Sequence, residues 1–246
     1  MERVKTGITG LDELLEGGFP QGRNVLVSGA CGAGKSIFAM QYIYKGALEF
    51  NEPGIFVTFD EMPDKIRQDM LRFGWNVKEL EDQGKMAILD ATSARAGQIS
   101  QEEHSFGRAM YDRNEFQGKL LNAIKELKAK RIAIDSTSAI GFQLEQGKDG
   151  IRQEILSINY ILSYIGMTTV LTSEIPQQPP EDTRQYSRYS VEEYVADGVI
   201  VLNFIGGMNP RRMFIRKMRG TKHSEQVHSI EITDKGINVK KSQVEI

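Results

Sequence analysis

The run Gly29-Ala30-Cys31-Gly32-Ala33-Gly34-Lys35-Ser36 has the residue types needed to hold a phosphate chain. Gly29, Gly32 and Gly34 let the backbone take positive φ angles and approach an anion closely, so that successive N–H groups point into one nest. The helix expected to begin near Ser36 aims its N-terminal amides and partial charge at the same point. Lys35 adds a cation at the β- and γ-phosphates, and the Ser36 hydroxyl takes a place on Mg²⁺. An apolar strand, Val25-Leu26-Val27-Ser28, runs into the loop, and this strand–loop–helix setting implies a nucleoside triphosphate as ligand. The candidate nucleotide contacts run from Gly29 to Ile37.

Three further sets of residues bear on the same chemistry. Asp135 closes the apolar run Ile132-Ala133-Ile134, in the manner of a Walker B aspartate. At the carboxyl end of a strand such an acid can hold the Mg²⁺ whose other protein ligand is Ser36. Asp60-Glu61 follows another apolar run. A carboxylate there can accept a hydrogen bond from a water and orient it for in-line attack on the γ-phosphorus, and Glu61 is favoured for that role with Asp60 in support. Lys217 and Arg219, two apart on an expected strand, point to one face. From charge alone, these two with Arg211, Arg212, Arg216 and Lys222 read equally as a solvated basic face or a nucleic-acid patch.

The elements that must position these groups alternate. A short helix with Leu11, Leu14 and Leu15 ends at Gly17-Gly18 and a Pro20/Gly22 turn. The loop helix is apolar on most sides, as expected for one packed between a sheet and its neighbours. Ile55 to Phe59 reads as a buried strand, which such a fold sets beside the first. Pro63 opens a helix to about Phe73, and Met86 to Asp90 is a third strand. Residues 91–115 read as a long loop. A helix with Phe116, Leu120, Ala123, Ile124 and Leu127 on one face leads to the strand Arg131 to Asp135. A glycine-rich loop at Gly147 to Gly150 precedes a helix carrying Ile151, Ile155, Ile158, Leu162 and Ile165. Thr168 to Ser173 is a strand, and the proline-rich stretch 174–190 reads as a mobile or binding-ordered loop. Val199 to Phe204, Met213 to Met218, Val227 to Ile232 and Ile237 to Val239 are strands parted by turns such as Gly206-Gly207, an antiparallel extension on a parallel sheet.

With 246 residues, 40% of them hydrophobic, the expectation is one α/β domain over the whole sequence. A formal net charge of −2 exerts no global pull on nucleic acid or anionic membrane. One cysteine, Cys31, forms no disulfide framework, and Met1-Glu2-Arg3 opens no signal peptide. No apolar run reaches membrane-spanning length. A cytoplasmic protein is expected. The three histidines are scattered, without zinc-ligand spacing, and no Asn-Lys-x-Asp guanine signature is present, which disfavours GTP.

The lead Thr6-Gly7-Ile8-Thr9-Gly10-Leu11-Asp12-Glu13-Leu14-Leu15-Glu16-Gly17-Gly18-Phe19-Pro20-Gln21-Gly22, followed by the phosphate loop, resembles the RecA superfamily and, within it, the KaiC and RadA branch. Asp60-Glu61 is similar to the paired acids of that branch, usually Glu-Glu. The segment Lys217-Met218-Arg219-Gly220 resembles one whose Lys and Arg reach a neighbouring subunit's γ-phosphate. Thr172-Ser173-Glu174 resembles a nucleotide-sensing strand end. Trp75 and Val195-Ala196-Asp197-Gly198 also match, and core packing and strand entry account for them. The resemblance implies a RecA-like fold: a mostly parallel twisted central sheet flanked by helices, with C-terminal antiparallel strands. It further implies a Mg²⁺-dependent ATPase that binds ATP and ADP, assembles as a homohexameric ring in which Lys217 and Arg219 act in trans, and signals to a protein partner. A RadA-like DNA-binding ATPase of recombination or repair is the alternative, weighed down by the acidic balance and the lack of an aromatic, basic groove. Aligned on Asp197, Glu193 and Tyr194 occupy the places of a Ser-Thr pair phosphorylated in clock-type members, so autophosphorylation there is not expected.

Overall fold

A computed structural model of the chain describes residues 1–92, 102, 105, 113–139, 147–175, 185–204 and 211–241. The first long strand, Asn24–Gly29, is buried along its whole length, and alternation explains why it is apolar on both sides. Val25 and Val27 enter one core with Phe38, Met40 and Ile43 of the helix that follows. Leu26 enters the other, with Phe116, Leu120, Ile158 and Leu162. Ala133 and the pair Ile132 and Ile134 divide between the same two cores.

In chain order the strands are β1 (Arg3–Val4), β2 (Phe19–Pro20), β3 (Asn24–Gly29), β4 (Gly54–Thr58), β5 (Met86–Asp90), β6 (Arg131–Asp135), β7 (Thr168–Glu174), β8 (Gly198–Phe204), β9 (Arg211–Met218), β10 (His228–Thr233) and β11 (Gly236–Lys240). The helices are α1 (Lys35–Glu49), α2 (Pro63–Met70), α3 (Val77–Asp82), α4 (Arg113–Leu127), α5 (Gly147–Tyr164) and α6 (Glu192–Val195). Among the described residues nine strands make one sheet in the order β11-β10-β9-β8-β3-β7-β6-β4-β5. From β8 to β5 every pairing is parallel. From β8 to β11 every pairing is antiparallel, as the turn-linked C-terminal strands led us to expect. Crossover helices cover both faces of the parallel part, which is how parallel strands must be joined.

The strand after α1 does not sit beside the first. β7 and β6 lie between β3 and β4, so the adjacency expected from sequence is corrected. Parallel strands joined by a helix can skip neighbours, and periodicity carries no record of which ones. Pro63 opens α2 as expected, but the last turn, Leu71–Phe73, tightens to a 3-10 helix before Gly74 turns left-handed at φ 71°. The lead helix is likewise a 3-10 turn, Asp12–Leu15, and β1 and β2, absent from the sequence reading, form a separate antiparallel pair. Residues 147–150 belong to α5 rather than to a preceding loop. α3, capped by the Asn76 side chain accepting from the Glu79 N–H, and the four-residue α6 were too short to show a period. Most of 91–115, residues 176–184 within the proline-rich stretch, and the Gly206-Gly207 turn lie outside the described residues.

One buried cation ties α1 to the sheet. Arg131, wholly buried, donates from Nε to Glu52 at 2.6 Å and from a terminal nitrogen to the Tyr42 carbonyl at 3.1 Å. Its guanidinium lies 4.8 Å from the centre of the Tyr42 ring. Gly46 leaves room for it: a Cβ there would stand 2.5 Å from Arg131 Cδ. The pairing satisfies a charge that would otherwise be costly to bury.

Candidate functional site

The carboxyl ends of β3, β4, β6 and β7 open on a cavity of about 490 Å³, the place where ligands enter open α/β sheets. Gly32, at φ 76°, and Gly34, at φ 106°, take the left-handed conformations the loop requires. Gly29 is needed for another reason than the one expected. It has no positive φ, but a Cβ would lie 2.3 Å from the Leu202 carbonyl oxygen of β8. The third glycine therefore lets strands pack at the mouth of the loop rather than bending the chain.

Lys35 Nζ donates to the carbonyls of Gly29 and Ala30, each at 3.1 Å, so its ammonium is held over the loop from within. Cys31 is exposed on the loop, and Ser36 and Ile37 line the cavity. Thr172 donates to Asp135 Oδ1 at 2.5 Å, and the Ser36 hydroxyl lies near enough to favour the ionised form of the same carboxyl. Asp135 is 8% exposed. Burial pushes its carboxyl above the usual range, against the opposing pull of the Thr172 and Ser36 hydroxyls, and nearby Asp60 adds to the rise. Hard oxygen donors around a buried carboxylate suit a small divalent cation, whose charge would offset that burial.

Asp60 and Glu61 face the same cavity. Ser136 donates to Asp60 Oδ2 at 2.8 Å, which fixes Asp60 beside the end of β6. The turn after β4 is closed by Thr58, whose hydroxyl donates to the Glu61 carbonyl at 2.7 Å. The Glu61 carboxylate itself pairs with Lys65 at 3.2 Å, with both side chains solvated, and such a pair yields readily.

Lys217 and Arg219 are not brought to this cavity. Gly198 pairs with Met218 and Phe204 with Arg211, so the C-terminal end of β9 lies by the amino-terminal ends of the parallel strands, about 20 Å from its start at ~3.3 Å per residue. The two side chains do share a face: both reach the Tyr194 carbonyl at 3.5 Å. Arg219 also lies 3.6 Å from Asp197, which Arg23 holds at 2.9 Å. Burial and the nearby Arg219 lower the Lys217 pKa.

The strand end at Ser173 and Glu174 joins the cavity to α6. Ser173 donates to Glu192 Oε1 at 2.9 Å, and Ser187 to Glu192 Oε2 at 2.7 Å. Glu174 N–H donates to Ser138 Oγ at 3.0 Å, and Ser138 lines the cavity. Glu192 is fully buried. Sequence reading passed over this carboxylate, and its place beside Glu193 offers no signal of burial. It also gave no special place to Arg211, Ser138 or Ile232, all of which line the cavity.

The buried Asp135 yields a prediction. Because its folded-state pKa is raised, the native protein holds a proton there at pH values where the unfolded chain has lost it. Stability from this group is therefore present below the unfolded carboxylate pKa and is lost as pH rises through the raised value. Asp135→Asn should raise the melting temperature of metal-free protein by a few degrees at pH 7.5, where about 1 kcal/mol is worth roughly 2–4 °C for a chain of this size. The gain should fade towards pH 4. An unchanged or lower melting temperature at pH 7.5 would contradict the account.

A family model described as "ATPase: KaiC" matches residues 4–244. The circadian clock oscillator protein KaiC of Acaryochloris marina is 40% identical over 240 residues, which cover 96% of this chain and 44% of that protein. The chain thus spans under half the length of the clock proteins it matches. UPF0273 protein MJ1359 of Methanocaldococcus jannaschii is 39% identical over 97% of this chain and 96% of its own. The crystal structure of the KaiC-like protein PH0186 from Pyrococcus horikoshii OT3 superposes with a TM-score of 0.84 at 40% identity, covering 98% of this chain and 99% of that one. Fold, loop chemistry and full-length similarity agree: the chain belongs to the KaiC family of ATPases.

Proposed function

We propose that residues 1–246 act as one ATPase domain that binds ATP with Mg²⁺ and hydrolyses it to ADP and phosphate. The observation that carries the reading is the convergence of Lys35, Ser36, Asp135, Asp60 and Glu61 on a single cavity at the strand ends. Gly29 to Ile37 hold the phosphate tail, through the loop amides and Lys35. Ser36 and Asp135 are the residues that would hold Mg²⁺, which when bound neutralises charge on the phosphate oxygens. Glu61 accepts a proton from the attacking water and aims its oxygen at the γ-phosphorus, in line with the departing ADP oxygen, while Asp60 keeps the acid pair in register. On the sheet side Asp135 is buried, which strengthens the contacts made there.

The working unit we assign is a ring, a homohexamer, in which Lys217 and Arg219 of one copy complete the site of the next. Its nucleotide state is passed to a protein partner through the segment after β7, and its setting is the cytoplasm. No helix among the described residues is long and apolar enough to cross a membrane. The basic residues of β9 are divided between the two ends of the strand, which does not favour a continuous nucleic-acid groove. Calorimetry with ATP and Mg²⁺, run beside a solution mass measurement with and without nucleotide, tests the reading. Saturable, magnesium-dependent uptake is expected. Folded protein that takes up no adenine nucleotide would overturn it.

A further inference from the structure

Glu192 is a wholly buried acid at the start of a helix of only four residues. Among the described residues its carboxylate collects four donors. Ser173 reaches Oε1, while the Ser187 hydroxyl and the N–H groups of Tyr189 and Val191, the last two at 3.3 Å, converge on Oε2. The Ser173 oxygen in turn accepts the Arg188 N–H at 3.1 Å. Tyr189 adds a second tie, its hydroxyl donating to the Ser138 carbonyl at 2.7 Å. Ser173 is itself fixed by the sheet, opposite Ser28 of β3. One turn of helix does not hold itself together in water, so the strand end is the rigid partner and α6 the positioned one. What α6 presents is its last turn. The Tyr194 carbonyl, left open where the helix ends, meets Lys217 and Arg219, and just beyond it the Arg219 N–H donates to the Asp197 carbonyl at 3.0 Å.

Resting on the ATPase and ring readings above, we propose that Glu192 is a positioning residue for the neighbouring copy's site. It locks α6 to the end of β7 and so sets where Lys217 and Arg219 are offered to the next subunit. Its own carboxylate reaches no reacting atom. Without it, four donors lose their acceptor in a buried setting, and the segment that carries them must shift to find others.

The test uses the full chain. Glu192→Ala should lower ATP turnover by about 100-fold, the scale of a small misplacement of a charged group, with ATP affinity changed only a few fold. Glu192→Gln should keep turnover within about tenfold of the parent, because its amide oxygen still accepts and the Ser173 hydroxyl can turn to accept from the amide nitrogen. Ser173→Ala, which cuts the tie to β7 and leaves the carboxylate its other donors, should cost about tenfold and serves where the Glu192→Ala protein does not fold. Mixing separates positioning from a general structural defect. Lys35→Ala copies lack the loop cation but keep Glu192 and the basic pair, so they should restore turnover at the sites of Glu192→Ala or Ser173→Ala copies. Parent-like turnover in these folded variants overturns the assignment and leaves the ATPase and ring readings standing. So does a deficit that mixing leaves unrelieved while a Lys217→Ala, Arg219→Ala double variant recovers in the same assay. Full turnover by that double variant, or its failure to recover, removes the trans reading and this inference together.

Discussion

Replacing Lys217 and Arg219 together by alanine is expected to cut ATP turnover by about 10³-fold or more while ATP affinity changes only a few fold. The size follows from the charge such residues stabilise on a transferring phosphoryl group. The direction of the split follows from geometry. The pair stands at the end of β9 away from the phosphate loop of its own chain, with both side chains turned to the Tyr194 carbonyl, so the chain's own pocket keeps its ligands when they are removed. A mixing experiment makes the expectation sharper. Lys35→Ala subunits lack the loop cation but keep Lys217 and Arg219. The double variant keeps the loop and lacks the pair. Each preparation alone should be nearly inactive, and co-assembly should restore turnover wherever a Lys35→Ala copy faces a double-variant site, about one quarter of junctions in a random equal mixture. Full turnover by the double variant, or no recovery on mixing under conditions where the copies exchange, would remove the trans assignment.

Glu61→Gln is expected to lower turnover by about 10²- to 10⁴-fold, the range for loss of a positioned general base, with ATP and ADP affinities nearly unchanged. The substitution keeps the shape and can still hydrogen-bond a water, but it cannot take the proton. Little stability is at stake, because among the described residues the ion pair lost is the solvated one with Lys65 and such pairs contribute at most about 1 kcal/mol. Single-turnover phosphate release on pre-bound ATP separates the chemical step from product release. Asp60→Asn should have a smaller effect, since Ser136 can still donate to the amide oxygen. If Asp60→Asn abolishes the chemical step and Glu61→Gln leaves it intact, the two acids exchange roles.

The phosphate loop and Asp135 were legible because their chemistry is written in contiguous residues: a strand, a turn of fixed composition, a helix start, and an acid closing an apolar run. The existence of the strands from β3 to β8 was legible too, since each is buried on two faces and reads as an apolar block. Their order was not. β4 is separated from β3 by two strands that come much later in the sequence, and no local pattern encodes that choice. Gly29 illustrates a subtler gap. Its type was noticed, but the reason for it, a carbonyl of β8 packed against the place of a Cβ, belongs to a strand some 170 positions on. Arg211 is the clearest case. Among six basic residues grouped by composition, only the register of β9 against β8 delivers this one to the phosphate loop and sends Lys217 and Arg219 to the other end of the strand. Glu192 was hidden for a related reason: an acid beside another acid looks solvated until the strand end and the segment above it are seen to enclose it.

The span of β9 carries a consequence for how many copies can work at once. If one end of the strand stands at its own chain's phosphate loop and the other serves a neighbour's site, each junction has a donor side and a receiver side, and the relation between copies is directional. A linear stack then always leaves one pocket without a supplier and one Lys217–Arg219 pair without a client, whatever its length. Only closure removes both defects, so activity per protomer would rise stepwise at the moment the last copy joins rather than in proportion to concentration.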